Sequence, residues 1–365
     1  MNKINVVIVT YSWPPRNSIS THRPYSWAKY WSKNGAKVTV LTAKKQSYDE
    51  PLDMPLPKID GVEVIEVSYQ DLITWLPNKL LKIPGILAFS KRVKASMIGL
   101  IGGTWDPREA WLSAALEVAK ELALKNDIVV STFGPSVAHF IACEMKKKNP
   151  SIRWIADYRD LWNENPNLVQ APIRYKKKLR NIEMNTVGKY ADLLTAVSED
   201  MVKKLIKLTG KTTIKMPNGF DVNEEDVRKI FLKTQTQLDG TFRIVYTGLI
   251  YKKHRDPTPL LEALAELLNE KKISKNSVTV DFYSSKIDFI KDLYDNPKFK
   301  PFIRIMGHVS RKKALEAQRN AGLLLLLETS QPEGRGVITG KIFEYIASGK
   351  PIICVGSHPE FEIGK

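Results

Sequence analysis

The chain has 365 residues, of which 43% are hydrophobic and 26% charged, and a formal net charge of +17. That length is too great for one small core and suits two domains with large apolar interiors. Its two cysteines, Cys143 and Cys354, exclude a disulfide framework and a cysteine-based zinc site, and suit a reducing cytoplasm.

The elements follow in chain order. Residues 4–10 form a β-branched apolar run, and a second such run covers 37–42. Between them, residues 22–34 carry a helical pattern with Trp27, Tyr30 and Trp31 on one face, stopped by Gly35. A strand, a helix and a strand in this order predict a parallel sheet. Further strands are expected at 62–67, 127–132 and 152–157, with 191–198 closing this half, and helices at 136–147 and 199–208, the latter capped by Ser198. The N-terminal stretch lacks the apolar length and small-residue cleavage site of a signal peptide. The longest aliphatic run, 323–327, is far below the roughly 20 residues that span a bilayer. A soluble or peripheral protein in the cytoplasm is expected.

A second series opens with a strand at 242–248 and a helix at 259–270. Strands at 278–283, 303–306 and 323–327, and helices at 311–321 and 341–348, continue it. Two α/β series predict two Rossmann-like domains, 1–217 and 218–365, joined through Asn218-Gly219-Phe220-Asp221, where Asn-Gly supports a turn. Ligands of such sheets lie outside the carboxyl ends of the strands, so a site is expected in the cleft between the domains. The basic excess belongs to the first 220 residues, which hold 33 Lys and Arg against 20 Asp and Glu; the remainder holds 23 against 19. No zinc-finger, RNP or basic-zipper pattern accompanies the charge, so an anionic membrane surface is favoured over nucleic acid as a partner. Residues 72–94 join bulky apolar residues to Lys79, Lys82, Lys91, Arg92 and Lys94, a composition that suits an interfacial segment or a helical insertion packed on the domain.

The most informative segment runs from Thr339 to Ile353 as TGKIFEYIASGKPII. It reads as a turn, a short helix, a glycine stop at Gly349 and a buried strand. Thr339, Gly340 and Lys341 stand at the helix entrance, where an anion is favoured, and Glu344 follows one turn later. A carboxylate at that place can accept from two sugar hydroxyls. Together they describe a site for a nucleoside diphosphate. A second cation-bearing loop follows the strand at 242–248: Gly248 admits a close backbone approach, and Lys252, Lys253 or Arg255 can meet a phosphate.

The TGKxFEYxASGKPI pattern resembles the nucleotide-sugar motif of the retaining glycosyltransferases with the two-Rossmann GT-B architecture. It is nearest to the large bacterial surface-polysaccharide group, family 4-like. Other segments resemble that group too: His22-Arg23-Pro24 at a helix start, Asp157-Tyr158-Arg159-Asp160-Leu161-Trp162 after a strand, and G-x-x-Y-x-x-x-R-D-P from Gly248. The resemblance implies transfer of a sugar from a nucleoside-diphosphate donor to a glycan or lipid-linked acceptor in cell-surface polysaccharide assembly. It implies no cofactor beyond the donor substrate and no metal; D-x-x-D at Asp157 and Asp160 is not the D-x-D of metal-dependent enzymes. It implies donor contacts from Gly248, Arg255, Thr339, Gly340, Lys341 and Glu344, and acceptor-side contacts from His22, Arg23, Asp157, Arg159 and Asp160. Arg255, Lys341 and Asp157 take the catalytic roles. On their own chemistry, Arg159 and Asp160 also fit an ion pair that closes a turn, and His22-Arg23-Pro24 fits a capped helix with a proline in its first turn. The group's second glutamate, eight residues before Glu344, is replaced here by Gly336, with Glu333 further upstream. Elements usually found after such a motif do not follow before Lys365, so either a fragment or a trimmed second domain is expected. A nucleotide-sugar 2-epimerase of the same fold and a non-catalytic sugar-nucleotide-binding protein are the alternatives.

Overall fold

The structure is a computed structural model that describes residues 3–49, 51–54, 56–70, 106–162, 172–219, 240–250, 252, 255–329, 331 and 334–364. Two compact units divide the chain, Met1–Pro217 and Asn218–Lys365. The 72–94 segment, Lys253, Glu333 and the Phe220-Asp221 end of the junction lie outside the described residues.

The first unit holds a seven-stranded sheet in the order β3-β2-β1-β4-β5-β6-β7. Its strands are β1 (Asn5–Val9), β2 (Lys37–Ala43), β3 (Val62–Val67), β4 (Ile128–Thr132), β5 (Arg153–Tyr158), β6 (Leu193–Ala196) and β7 (Thr213–Lys215). Every ladder is parallel. The helices are α1 (Ile19–Lys33), α2 (Trp111–Lys125), α3 (Val137–Lys148), α4 (Ile173–Glu183) and α5 (Glu199–Thr209). Strand alternation sorts the core onto two faces. Val7 and Val9 join Trp111, Ile141 and Trp154 in one cluster, whereas Ile8 joins Val38, Val40 and Tyr25 of α1 in another. Helix α5 shows the local logic in full. Ser198 accepts from Met201 N at 3.3 Å, Met201, Val202 and Leu205 face the core, and Gly210 at φ 67° ends the helix.

The second unit holds a five-stranded parallel sheet in the order β10-β9-β8-β11-β12. Its elements are β8 (Phe242–Thr247), α6 (Thr258–Asn269), β9 (Val278–Tyr283), α7 (Asp288–Tyr294), β10 (Ile303–Ile305), α8 (Arg311–Arg319), β11 (Leu323–Leu327), α9 (Lys341–Ala347) and β12 (Ile352–Val355). Strand β11 is five leucines, four of them fully buried, because both of its faces are covered. In each sheet the strand order reverses beside the first strand, between β1 and β4 and between β8 and β11. Loops part at that point, and ligands of such sheets bind there.

Two sequence expectations are corrected. The last strand of the first unit is β7, not the run at 191–198; three residues are too few for a periodic signal. Helix α1 starts at Ile19, with Ser18 accepting from Ser20 N, so Pro24 lies inside the helix rather than in its first turn. No helix among the described residues is long and apolar enough to cross a membrane.

Candidate functional site

The reversal point of the second sheet gathers the side chains that the sequence marks for a donor. β8 ends in Tyr246 and Thr247, both buried, and passes into Gly248. Gly248 has φ 129°, and a Cβ there would collide with Lys341 Nζ. The backbone therefore requires glycine, and a side chain here would push aside the lysine that crosses it. Lys341, the first residue of α9, donates to Tyr246 Oη at 2.8 Å and lies 4.4 Å from the centre of that ring. Tyr246 Oη in turn donates to Leu249 O at 2.6 Å, the carbonyl that Arg255 Nη1 reaches at 3.5 Å. Burial, then the charge of Arg255, push the Lys341 ammonium down to about 7; Glu328 and Glu344 oppose that shift.

Glu344 stands one turn further along α9. Its Oε1 accepts from Arg311 Nη2 at 3.0 Å and its Oε2 from Gln318 Nε2 at 3.5 Å. Gln318, 1% exposed, also donates to Thr247 Oγ1 at 2.9 Å, while Thr247 N donates to Tyr345 Oη at 3.1 Å. The carboxylate is thus aimed by α8 and β8 together. Thr339 and Gly340 form the half-buried turn before α9, where Thr339 O accepts from Ile342 N at 3.2 Å. Because α9 has only seven residues, the attraction for an anion rests on Lys341 and Arg255 rather than on the helix end.

Glu328 was not singled out from sequence, although it directly follows the run of leucines at a strand end. Its carboxyl lies close enough to Arg255 and Lys341 for both charges to pull its pKa down, yet burial outweighs them and raises it. Its buried Oε1 has no hydrogen-bond partner among the described residues. Tyr246 and Gln318 were also missed, since a lone tyrosine or glutamine at those positions carries no motif.

The acceptor-side residues divide. Asp157 is fully buried, and its two oxygens are taken by four donors. Arg23 Nε and Thr132 Oγ1 bond to Oδ2 at 3.0 and 2.8 Å, and Arg23 Nη2 and Thr195 Oγ1 to Oδ1 at 2.6 and 2.7 Å. Arg23 also donates to Met216 O at 2.8 Å and Pro217 O at 3.0 Å. Asp157 and Arg23, expected on the acceptor side, are thus bonded to each other, and together they tie α1, β5 and the end of the first unit. His22 is half-buried on α1. Arg159 and Asp160 do line an open cavity, of about 350 Å³, beside the reversal point of the first sheet. Arg16 and Arg108, which no sequence motif marks, line it too. Among the described residues no group of three or more His, Cys, Asp or Glu is placed to hold a metal ion.

No family model and no curated protein matches the chain. Solved structures do resemble it. The catalytic domain of starch synthase IV from Arabidopsis thaliana, bound to ADP and acarbose, superposes with a TM-score of 0.57 at 10% identity, covering 100% of this chain and 86% of that one. The E. coli trehalose-6-phosphate structure bound with UDP-2-fluoro glucose gives 0.55 at 14% identity, covering 96% and 83%. An α,α-trehalose-phosphate synthase (UDP-forming) from Burkholderia vietnamiensis gives 0.54 at 10% identity, covering 97% and 84%. At such identities the likeness speaks for the backbone alone, and what it shows is the fold: the chain has the GT-B architecture of two Rossmann-like α/β units.

Proposed function

We propose that the chain is a glycosyltransferase that moves a sugar from a nucleoside-diphosphate donor held on the second unit. The observation that carries this reading is the reversal point of the five-stranded sheet. There Lys341 crosses a glycine that leaves room for it, Arg255 lies close enough to shift its pKa, and Glu344 is aimed by Arg311 and Gln318. Two cations beside a carboxylate suit a diphosphate and a ribose. Their charge stabilises the negative charge that grows on the departing nucleotide, where electrostatic catalysis is strongest. The donor phosphates bring Lys341 its proton back, so the lysine acts as a cation in the complex. The nucleotides bound in the E. coli and Arabidopsis structures, both of this fold, support a nucleotide sugar as the donor class. The sequence motifs support the finer reading: retention of configuration, and a glycan or lipid-linked acceptor in surface-polysaccharide assembly on a membrane surface.

The test is a screen of nucleotide sugars by thermal shift on the chain, followed by titration of the best one. Glu344→Ala is expected to weaken it about ten- to a hundredfold, the worth of a charge-assisted hydrogen bond. Arg255→Ala is expected to lower transfer while the melting temperature holds. Unchanged donor affinity in a folded Glu344→Ala chain refutes the assignment. Turnover of the donor with no acceptor present would favour epimerisation instead.

A further inference from the structure

The cavity of the first unit is a separate piece of chemistry. It opens at the carboxyl ends of β1, β4 and β5, where three loops meet. Arg16 comes from the loop after β1, Arg159 from the loop after β5, and Arg108 from the turn that precedes α2. The three side chains are 20%, 21% and 26% exposed, so each is held in the wall rather than in solvent. A volume of about 350 Å³ is that of a small-molecule site.

Their surroundings hold the guanidiniums in place without saturating them. The ring of Tyr11 lies under two of them, at 5.8 Å from Arg16 and 5.4 Å from Arg108. Arg108 spends Nε and Nη2 on Asp106. Arg16 donates to Ser12 Oγ at 3.4 Å and stands 3.9 Å from Asp49, whose own Oδ2 is occupied by Tyr11 Oη and Gln46 N. Arg159 Nε donates to Phe133 O at 3.1 Å, with Asp160 3.7 Å away and half exposed. The two Nη groups of Arg159 have no hydrogen-bond partner among the described residues. Gly134, whose φ of 106° itself calls for glycine, lies against them: a Cβ there would be 2.5 Å from Arg159 Nη2. Burial, and the like charges of Arg16 and Arg108, push the Arg159 pKa down. Ser136 brings the start of α3, a twelve-residue helix, to the same wall.

Three converging guanidiniums, one with both outer nitrogens unspent, match an anion with several oxygens, and a tetrahedral phosphoryl group is the best fit. We infer that the cavity binds a phosphoryl group carried by the acceptor, so that the acceptor is a phosphorylated sugar or a lipid-linked phosphate. The inference rests on the transferase reading for the word acceptor, and on the cavity alone for the phosphate.

The test uses the full chain carrying Lys341→Ala and Arg255→Ala, so that the cations proposed for the donor cannot report. Glucose 6-phosphate is expected to bind this chain in calorimetric titration, glucose is not, and inorganic phosphate competes. Arg16→Gln and Arg159→Gln, made singly in that background, are each expected to weaken glucose 6-phosphate about tenfold or more. If Arg159→Gln loses its thermal transition, Arg16→Gln carries the test, since its side chain lies in a loop. Vesicles of phosphatidylcholine containing a polyprenyl monophosphate distinguish the source: competition by them points to a lipid-linked acceptor, and competition by the sugar phosphate alone to a soluble one. Absence of any phosphate binding, equal binding of glucose, or undiminished binding in both arginine variants overturns the inference. Failure of every nucleotide sugar to bind the parent chain, measured separately, refutes the donor reading and leaves the cavity result standing.

Discussion

Lys341 offers the sharpest quantitative check, because its proton should move when the donor binds. In the free protein its ammonium titrates near pH 7, pushed down first by burial and then by Arg255. By simple titration about half of the molecules carry the proton at pH 7, about one in ten at pH 8 and about nine in ten at pH 6. A diphosphate within a few ångströms reverses the bias and keeps the lysine charged across that range. Binding at pH 8 should therefore take up close to one proton per donor, about half at pH 7 and about a tenth at pH 6. A nucleotide sugar is the right ligand, since its phosphates are esters with no proton to exchange near neutrality. Calorimetric titration in two buffers of different ionisation enthalpy reads the uptake directly. Above pH 7 the affinity should also fall by up to tenfold per unit, about 1.4 kcal/mol.

The same group fixes a stability slope. Its folded pKa lies below the ordinary value of 10.5, so between about 7 and 10.5 the unfolded chain holds a proton that the folded chain has shed. Folding stability of the free protein should rise with pH through that window, and Lys341→Met should remove this part of the slope. Heats of binding that do not depend on the buffer at pH 8, or proton uptake that survives in Lys341→Met, would refute the placement of the diphosphate at this lysine.

Gly248→Ala should force Lys341 aside and strain a left-handed backbone, costing about 1–3 kcal/mol of stability and lowering donor affinity as Lys341→Ala does; chemical denaturation and titration check the two effects. Asp157→Asn should leave Arg23 buried without its counter-charge and cost about 3–5 kcal/mol, with the transfer rate per folded molecule unchanged; a loss of transfer without loss of stability would restore Asp157 to the site. Co-sedimentation with anionic vesicles should fall as salt rises and fall again when Lys79, Lys82, Lys91 and Arg92 become Gln, at about 1 kcal/mol per residue, and equal binding of parent and variant removes the membrane claim.

What could be read from the sequence followed from periodicity and punctuation. The runs at 62–67, 278–283 and 323–327 match β3, β9 and β11 residue for residue, because β-branched or leucine-rich runs between turn residues admit one reading. Gly349 and Gly35 stand at φ 67° and 92°, as helix stops require. Helices α2, α4 and α7 were not anticipated. α2 buries Ala115, Ala119 and Ala123 along one face, and small residues give a weak apolar signal. α4 is so rich in Lys and Arg that its single buried leucine, Leu179, hardly marks a face.

The site was legible where a residue's chemistry is visible in its local pattern, and opaque where the fold recruits it. Gly248 and Lys341 are 93 positions apart and were each named for separate reasons; only the parallel order β8-β11-β12 brings the second across the first. Asp157 shows the opposite case. An aspartate at a strand end, followed by arginine, looks equally suited to a substrate or to a partner within the fold. The answer depends on Arg23, Thr132 and Thr195, which no spacing rule connects to it.

On the two readings proposed above, the reversal points of the two sheets serve the same use with different cations. In the second, a lysine of lowered pKa could gain a proton if a diphosphate arrived as proposed, so that its charge would appear with the ligand. In the first, arginine cannot discharge near neutrality, and three of them must be tolerated permanently. The fold meets that demand with carboxylates set beside or behind each guanidinium, Asp49, Asp106 and Asp160, and with the face of Tyr11. A merely structural arginine would be expected to spend its outer nitrogens as Arg23 does, on a buried carboxylate and two carbonyls. Arg159 instead keeps them turned to a cavity, above a glycine that leaves them space. That contrast, between two arginines of one unit, is the physical ground for expecting phosphate at one and none at the other.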